Sequence, residues 1–265
     1  MNQQLISINI TLGKYKSFVD KIISLSKSKI SAYVCVANVH MLVECSKDKA
    51  YGTLVNNADI ITPDGMPLAK SLKLVYGIDQ DRVAGMNLLP DLLLESEKQG
   101  LSVFFYGGDD VLIEKTKLHI SSKYPSLKVS GYYSPPFRSL TNDEEDAIIS
   151  LINKSAPNLL FVALGCPKQE IWMASMKNRL DTCMIGIGGA LSVMIGLQKR
   201  APEWMQRNSL EWFYRLAQEP NRLFKRYLFT NSWFVILLTK EICKKKYFVL
   251  LKNTSEPKKP LDPLL

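Results

Sequence analysis

The chain has 265 residues, 46% of them apolar and 22% charged. These proportions exclude a mainly disordered chain, a collagen-like repeat and a disulfide scaffold, and the length is enough for a large buried core. There are 34 Lys and Arg against 25 Asp and Glu, a net charge of +9. From Lys199 to Lys246 there are 11 cations and four acids, so that segment alone carries +7, and residues 247–265 add +1. The remaining +1 is spread over residues 1–198, so nucleic acid is not an expected partner of the whole protein.

In chain order, short apolar runs ending at Gly, Asn or Pro alternate with stretches of 3.6-residue periodicity. Strands are expected at Leu5–Ile10, Ala32–Ala37, Ala58–Ile61, Leu101–Tyr106, Lys128–Tyr132, Leu159–Leu164 and Thr182–Ile187. Helices are expected at Val39–Lys47, Met66–Tyr76, Met86–Lys98, Val111–Lys123, Asn142–Asn153, Lys168–Arg179 and Leu191–Ile195. Thr141 with Glu144 reads as a capping box, and Gly100 as the glycine that stops the Met86 helix. The fold class expected from this rhythm is α/β, a mostly parallel Rossmann-like sheet with helices on both faces. Residues 1–198 form the expected catalytic domain. Residues 199–246 form a basic, aromatic helical appendage in which Pro220 starts a new helix, and residues 247–265 form a frayed tail.

Five cysteines at irregular spacing, with no CxxC pair and only His40 and His119 as histidines, argue against a zinc site and for a reducing, cytosolic setting. The polar N-terminus shows no secretory signal pattern. The apolar stretch Tyr227–Thr239 has 13 residues, short of the roughly 20 that cross a bilayer.

In a sheet of this kind ligands bind beyond the carboxyl ends of the strands, so the strand ends hold the candidate residues. Asp64 follows an apolar strand and reads either as a turn former or helix cap, or as a general base. Asn38 reads as a helix cap or as an amide presented to sugar hydroxyls. Arg82 reads as a solvated loop cation or as a clamp on phosphate or sugar oxygens. Gly107, with Gly108, lets a ligand approach the backbone. Asp109 and Asp110 read as the cap of the next helix rather than a metal pair. In Gly165-Cys166-Pro167-Lys168-Gln169, Pro167 reads as the first helical residue, which would aim free N–H groups and Gln169 at an anion. Gly188 and Gly189 end another strand but lack the GxGxxG spacing of a dinucleotide site.

Taken in order, these pieces resemble the WecG/TagA/CpsF glycosyltransferase family. The matching residues are Ala58-Asp59-Ile60, Thr62-Pro63-Asp64-Gly65, Arg82-Val83-Ala84-Gly85, Leu164 to Glu170 and Gly186 to Ala190. Arg200-Ala201-Pro202-Glu203-Trp204, Leu210-Glu211-Trp212-Phe213-Tyr214-Arg215-Leu216 and Glu219-Pro220-Asn221-Arg222 complete the set, over roughly residues 5–240. The resemblance implies an inverting, metal-independent enzyme without a cofactor. It would move an N-acetylmannosamine-type sugar or another hexose from a UDP-sugar to a polyprenyl-diphosphate-linked sugar, in teichoic acid or surface polysaccharide synthesis. It implies a peripheral position on the inner face of the cytoplasmic membrane. Asp64 would be the base. Asn38, Arg82, Gln169, Gly107, Gly165, Gly188 and Gly189 would bind the donor, and Arg215, Arg222 and Arg226 the acceptor diphosphate. Where the family often shows G-G-x-x-D, this chain has Ser192, and Ser134-Pro135-Pro136-Phe137 stands where a Gly-Tyr-Phe is common.

Two other classes bracket this expectation: a nucleotide-cofactor oxidoreductase and a non-enzymatic basic membrane adaptor. A homo-oligomer is compatible with any of the three.

Overall fold

The computed structural model describes residues 1–255. It opens with β1 (Asn2–Leu5), β2 (Ile8–Thr11) and α1 (Tyr15–Ser28), followed by β3 (Ala32–Ala37), α2 (Val39–Lys47), α3 (Lys49–Asn56) and β4 (Ile60–Pro63). Next come α4 (Met66–Tyr76), α5 (Gly85–Lys98), β5 (Ser102–Tyr106), α6 (Asp110–Lys123), β6 (Lys128–Tyr133) and α7 (Asn142–Ser155). The last part holds β7 (Leu159–Val162), α8 (Lys168–Met176), β8 (Cys183–Gly186), α9 (Ala190–Met194), α10 (Glu203–Arg207), α11 (Glu211–Gln218) and α12 (Pro220–Ser255).

Six strands form one parallel sheet in the order β4-β3-β8-β7-β5-β6. Side chains alternate across it, so each strand feeds two cores. Tyr33, Cys35, Phe104, Tyr106, Leu160, Val162 and Met184 face one core, and Val34, Val36, Val103, Phe105, Leu159, Phe161 and Ile185 face the other. The expected α/β fold is the fold found.

Several expected boundaries move. The strand expected at Leu5–Ile10 is a hairpin instead: Ile6 takes a φ of 58°, and β1 and β2 pair antiparallel around it. Helices α1 and α3 had no counterpart in the expectation. In α1 the apolar residues Phe18, Val19, Ile22 and Ile23 recur at helical spacing and are all buried. Asp48 caps α3 through the N–H groups of Ala50 and Tyr51. The capping box at Thr141 and the positive φ of Gly100 are present as read. Pro167 is the N-cap of α8 rather than its first helical residue.

Pro220 does begin α12, and that helix continues through Tyr247 to Ser255, into the segment expected to fray. The rest of that tail, residues 256–265, lies outside the described residues. Helix α12 packs on α2 and α4. Its Phe234 is buried in the same core as Met41, Leu42 and Leu68, with Leu237 and Leu238 partly buried against it.

Candidate active site

The strand-end residues converge on one edge of the sheet because all six strands are parallel. Strand β4 lies beside β3, and the Asp64 N–H donates to the carbonyl of Ala37 at 2.8 Å, next to Asn38. The chain after α4 returns along the same edge. There Thr62 Oγ1 donates to the Val83 carbonyl at 3.1 Å, and the Val83 N–H donates to the Pro63 carbonyl at 2.9 Å. These contacts place Asp64 against the start of α5, where its Oδ1 accepts the Gly85 N–H at 3.1 Å.

Asp64 does not cap the helix that follows it; that N-cap is Gly65. Among the described residues Oδ2 of Asp64 has no hydrogen-bond partner. Burial, then the charge of Glu211, pushes its carboxyl up to about 6, against the opposing pull of Arg82, the Gly85 N–H and Arg215. A carboxylate titrating there is suited to taking a proton near neutral pH.

Arg82 is neither a solvated cation nor a free clamp. Its Nε donates to the Asp64 carbonyl at 2.9 Å, Nη1 to Gln206 Oε1 at 3.0 Å and Nη2 to Glu211 Oε2 at 2.6 Å. It is a strut between the Asp64 loop and the C-terminal helices. Gln206 in turn donates to the Ala201 carbonyl at 2.7 Å, and Arg200 reaches Asn87 at 2.6 Å. Glu211 and Gln206 are the site residues that the sequence reading left without a role. The only signal for Glu211 was its place in the Leu210–Leu216 motif.

Arg215 is the terminal arginine that the fold brings to the site. A methyl group added to Gly189 would lie 3.0 Å from its Nη2, and its charge acts on Asp64. It makes no ion pair among the described residues. Arg222 pairs instead with Glu219 at 2.5 Å and is largely exposed. Arg226 lies 5.3 Å from the Tyr227 ring centroid, and its charge, after burial, helps hold the His40 imidazole below its usual range. It therefore sits near His40 at the start of α2.

The glycines divide into two kinds. Gly107 has a φ of 112°, and a Cβ there would meet the Ala163 backbone at 2.7 Å, so close strand packing accounts for it. Gly165, Gly188 and Gly189 form a glycine floor: a Cβ on Gly165 would meet nothing within 4 Å, one on Gly188 would lie 4.0 Å from the Gly165 Cα, and one on Gly189 3.0 Å from Arg215 Nη2. Gln169 lies buried beneath that floor. Its Oε1 accepts the Gly165 N–H at 3.2 Å and its Nε2 donates to Glu170 Oε1 at 2.7 Å. Gln169 thus fixes the floor from below rather than projecting into it. Glu170 also accepts from the Tyr51 hydroxyl at 3.1 Å and has no cation partner among the described residues, and burial raises its carboxyl. Asn38 Oδ1 accepts the Met41 N–H at 3.1 Å, which is the cap reading. Asp109 likewise caps α6 through Leu112.

The family model "Glycosyl transferase WecG/TagA/CpsF family" matches residues 3–247. The chain belongs to that glycosyltransferase family. A relative from Bacillus subtilis (strain 168) is 31% identical over 242 residues, covering 91% of each chain. One from Staphylococcus aureus (strain MW2) is 26% identical over 199 residues, 75% of this chain and 76% of its own. Both are named N-acetylglucosaminyldiphosphoundecaprenol N-acetyl-beta-D-mannosaminyltransferase. Every strand-end motif of the candidate site lies inside the matched span.

Proposed function

We propose that this glycosyltransferase moves an N-acetylmannosamine-type sugar, or another hexose, from a UDP-sugar to a sugar carried on a polyprenyl diphosphate. The reading rests on one observation above others. Asp64 stands at the carboxyl edge of a parallel sheet with its carboxyl raised to about 6, beside Arg215 and the Gly188-Gly189 floor. The names of the relatives supply the acceptor class and the sugar.

In this reading UDP lies along the glycine floor with its diphosphate toward Arg215. Asp64, ionised above about pH 6, removes the proton from the acceptor hydroxyl. The hydroxyl oxygen attacks the anomeric carbon from the face opposite UDP, the bond to the diphosphate oxygen breaks, and the configuration inverts. Arg215 meets the charge that grows on the leaving diphosphate. Asn38, whose Oδ1 caps α2, stands beside Asp64 and offers its Nδ2 to the sugar, while Arg82 holds the Asp64 loop and Gln169 the glycine floor. Arg222 and Arg226, on α12, are exposed cations available to the anionic membrane surface.

The exposed face of α12 supports a membrane position. Lys225, Phe229, Trp233, Ile236 and Lys240 fall at helical spacing and are all exposed. A stripe that mixes cations with aromatic and aliphatic side chains suits an anionic leaflet, where each cation contributes about 1 kcal/mol. Among the described residues no helix is long and apolar enough to cross a membrane. The wall polymer being built would then be assembled at the inner face.

A donor screen tests the proposal. The protein is incubated with a panel of UDP-sugars and a prenyl-diphosphate-linked N-acetylglucosamine, and UDP release is followed. Acceptor-dependent release with UDP-N-acetylmannosamine is expected. No release with any donor, or tight binding of NAD(P)H in place of UDP, would overturn it.

A further inference from the structure

Beside the Asp64 loop lies an apolar groove of about 500 Å³ that the reaction scheme leaves unused. One wall is a single face of α4, where Pro67, Lys70 and Leu74 recur at helical spacing. The other wall is Phe234 and Leu238, one turn apart on α12. Ser209 lines the groove too, two residues before Glu211, the partner of Arg82. The groove therefore begins next to the catalytic edge and runs away from it along α4. From Pro67 to Leu74 there are seven residue steps, or roughly 10 Å of helix.

Three features of the lining call for a ligand that is anionic at one end and apolar beyond it. The Ser209 hydroxyl is buried and has no hydrogen-bond partner, and the residue is held at a φ of 63°. A buried hydroxyl left without a partner is costly unless something supplies one. Lys70 is exposed and makes no hydrogen bond or ion pair among the described residues. Leu74, at the far end, is 65% exposed although it lines an apolar surface.

We propose that this groove binds the first isoprene units of the lipid acceptor, with Ser209 and Lys70 meeting the phosphate nearest the chain. The proposal rests on the acceptor class given above. It makes the prenyl chain a recognised part of the substrate and not only a tether to the bilayer.

The test is equilibrium binding of farnesyl diphosphate and of inorganic diphosphate to the full chain, without detergent. Farnesyl diphosphate should bind at least ten times more tightly. Leu74→Asp, at an exposed position, should bring the two within about threefold while leaving inorganic diphosphate and UDP binding unchanged. Lys70→Glu should weaken both diphosphates together. Equal binding of the two ligands by the unaltered protein, or an unchanged preference in Leu74→Asp, would overturn the groove. So would a change in molecular mass by light scattering on Leu74→Asp with prenyl binding intact, which would assign the groove to a second copy of the chain. Binding is read separately from turnover, so a failure of the transferase reading in the donor screen is distinguishable from a failure here.

Discussion

Arg82 Nη2 lies 2.6 Å from Glu211 Oε2, and that ion pair joins the Asp64 loop to the first residue of α11. Both side chains are mostly buried. Because the other Arg82 donors hold the Asp64 carbonyl and Gln206, the C-terminal helices are attached to the sheet edge at the point where the candidate base stands. Removal of residues from Lys199 onward would uncover the core that Phe234 fills, so point substitutions separate activity from folding better than truncation does.

Asp64→Asn keeps the acceptor for the Gly85 N–H and removes the proton acceptor. Turnover should fall by at least about 100-fold, with UDP affinity nearly unchanged by calorimetry. A variant that retains more than a tenth of the rate would show that another group is the base.

The rate should rise with pH through an acidic limb near 6, where Asp64 ionises. Glu211 raises the Asp64 carboxyl, so Glu211→Gln should move that limb to lower pH. A limb that stays in place in this variant would break the link between Asp64 and the profile.

The same carboxyl sets a stability trend. Between about pH 4 and 6 the folded chain keeps a proton on Asp64 that the unfolded chain has released. Stability attributable to this group therefore falls as pH rises across that window, and the cost is fully present at pH 7. Asp64→Asn should be more stable than the parent at pH 7 by roughly 1–3 kcal/mol, and the difference should vanish below about pH 4. Denaturant melts at the two pH values measure it.

Arg82→Met leaves Glu211 without its partner and unties α11. A loss of roughly 1–3 kcal/mol is expected, between the values for exposed and fully buried pairs. Arg82→Lys should recover little of it, since one ammonium cannot span Asp64, Gln206 and Glu211. Thermal melts with parallel rate measurements show whether activity and stability fall together.

Two glycine substitutions should separate packing from the site. Gly107→Ala forces a side chain into a φ of 112° and against the Ala163 backbone, so the folded yield should collapse. Gly189→Ala meets only side-chain ends, Arg215 Nη2 at 3.0 Å and Gln198 Oε1 at 3.9 Å, so folding should be kept while the rate drops several-fold. Equal loss of fold in both would refute the distinction.

The alternation of apolar runs with helical periodicity, and the Gly, Asn and Pro that end each run, were enough to read the parallel sheet from the chain alone. So were the Thr141 capping box and the helix start at Pro220, because caps and breakers act over three or four residues. The ordered motifs around Asp64, Arg82, Gly165 and Gly189 likewise marked the candidate site that the fold brings to one sheet edge. Only the tertiary structure decided what each residue touches. Arg82 became a strut because Glu211, 129 residues later, folds back onto it. Gln169 was drawn beneath the floor by Gly165 and Glu170, and Arg215 came to act on Asp64 while Arg222 was taken up by Glu219. The Asp64 carboxyl rises because burial and a distant glutamate surround it, and neither is written in its neighbours along the chain. Periodicity and capping are local and survive in the sequence, whereas desolvation and charge pairing depend on which distant segments share the same few ångströms.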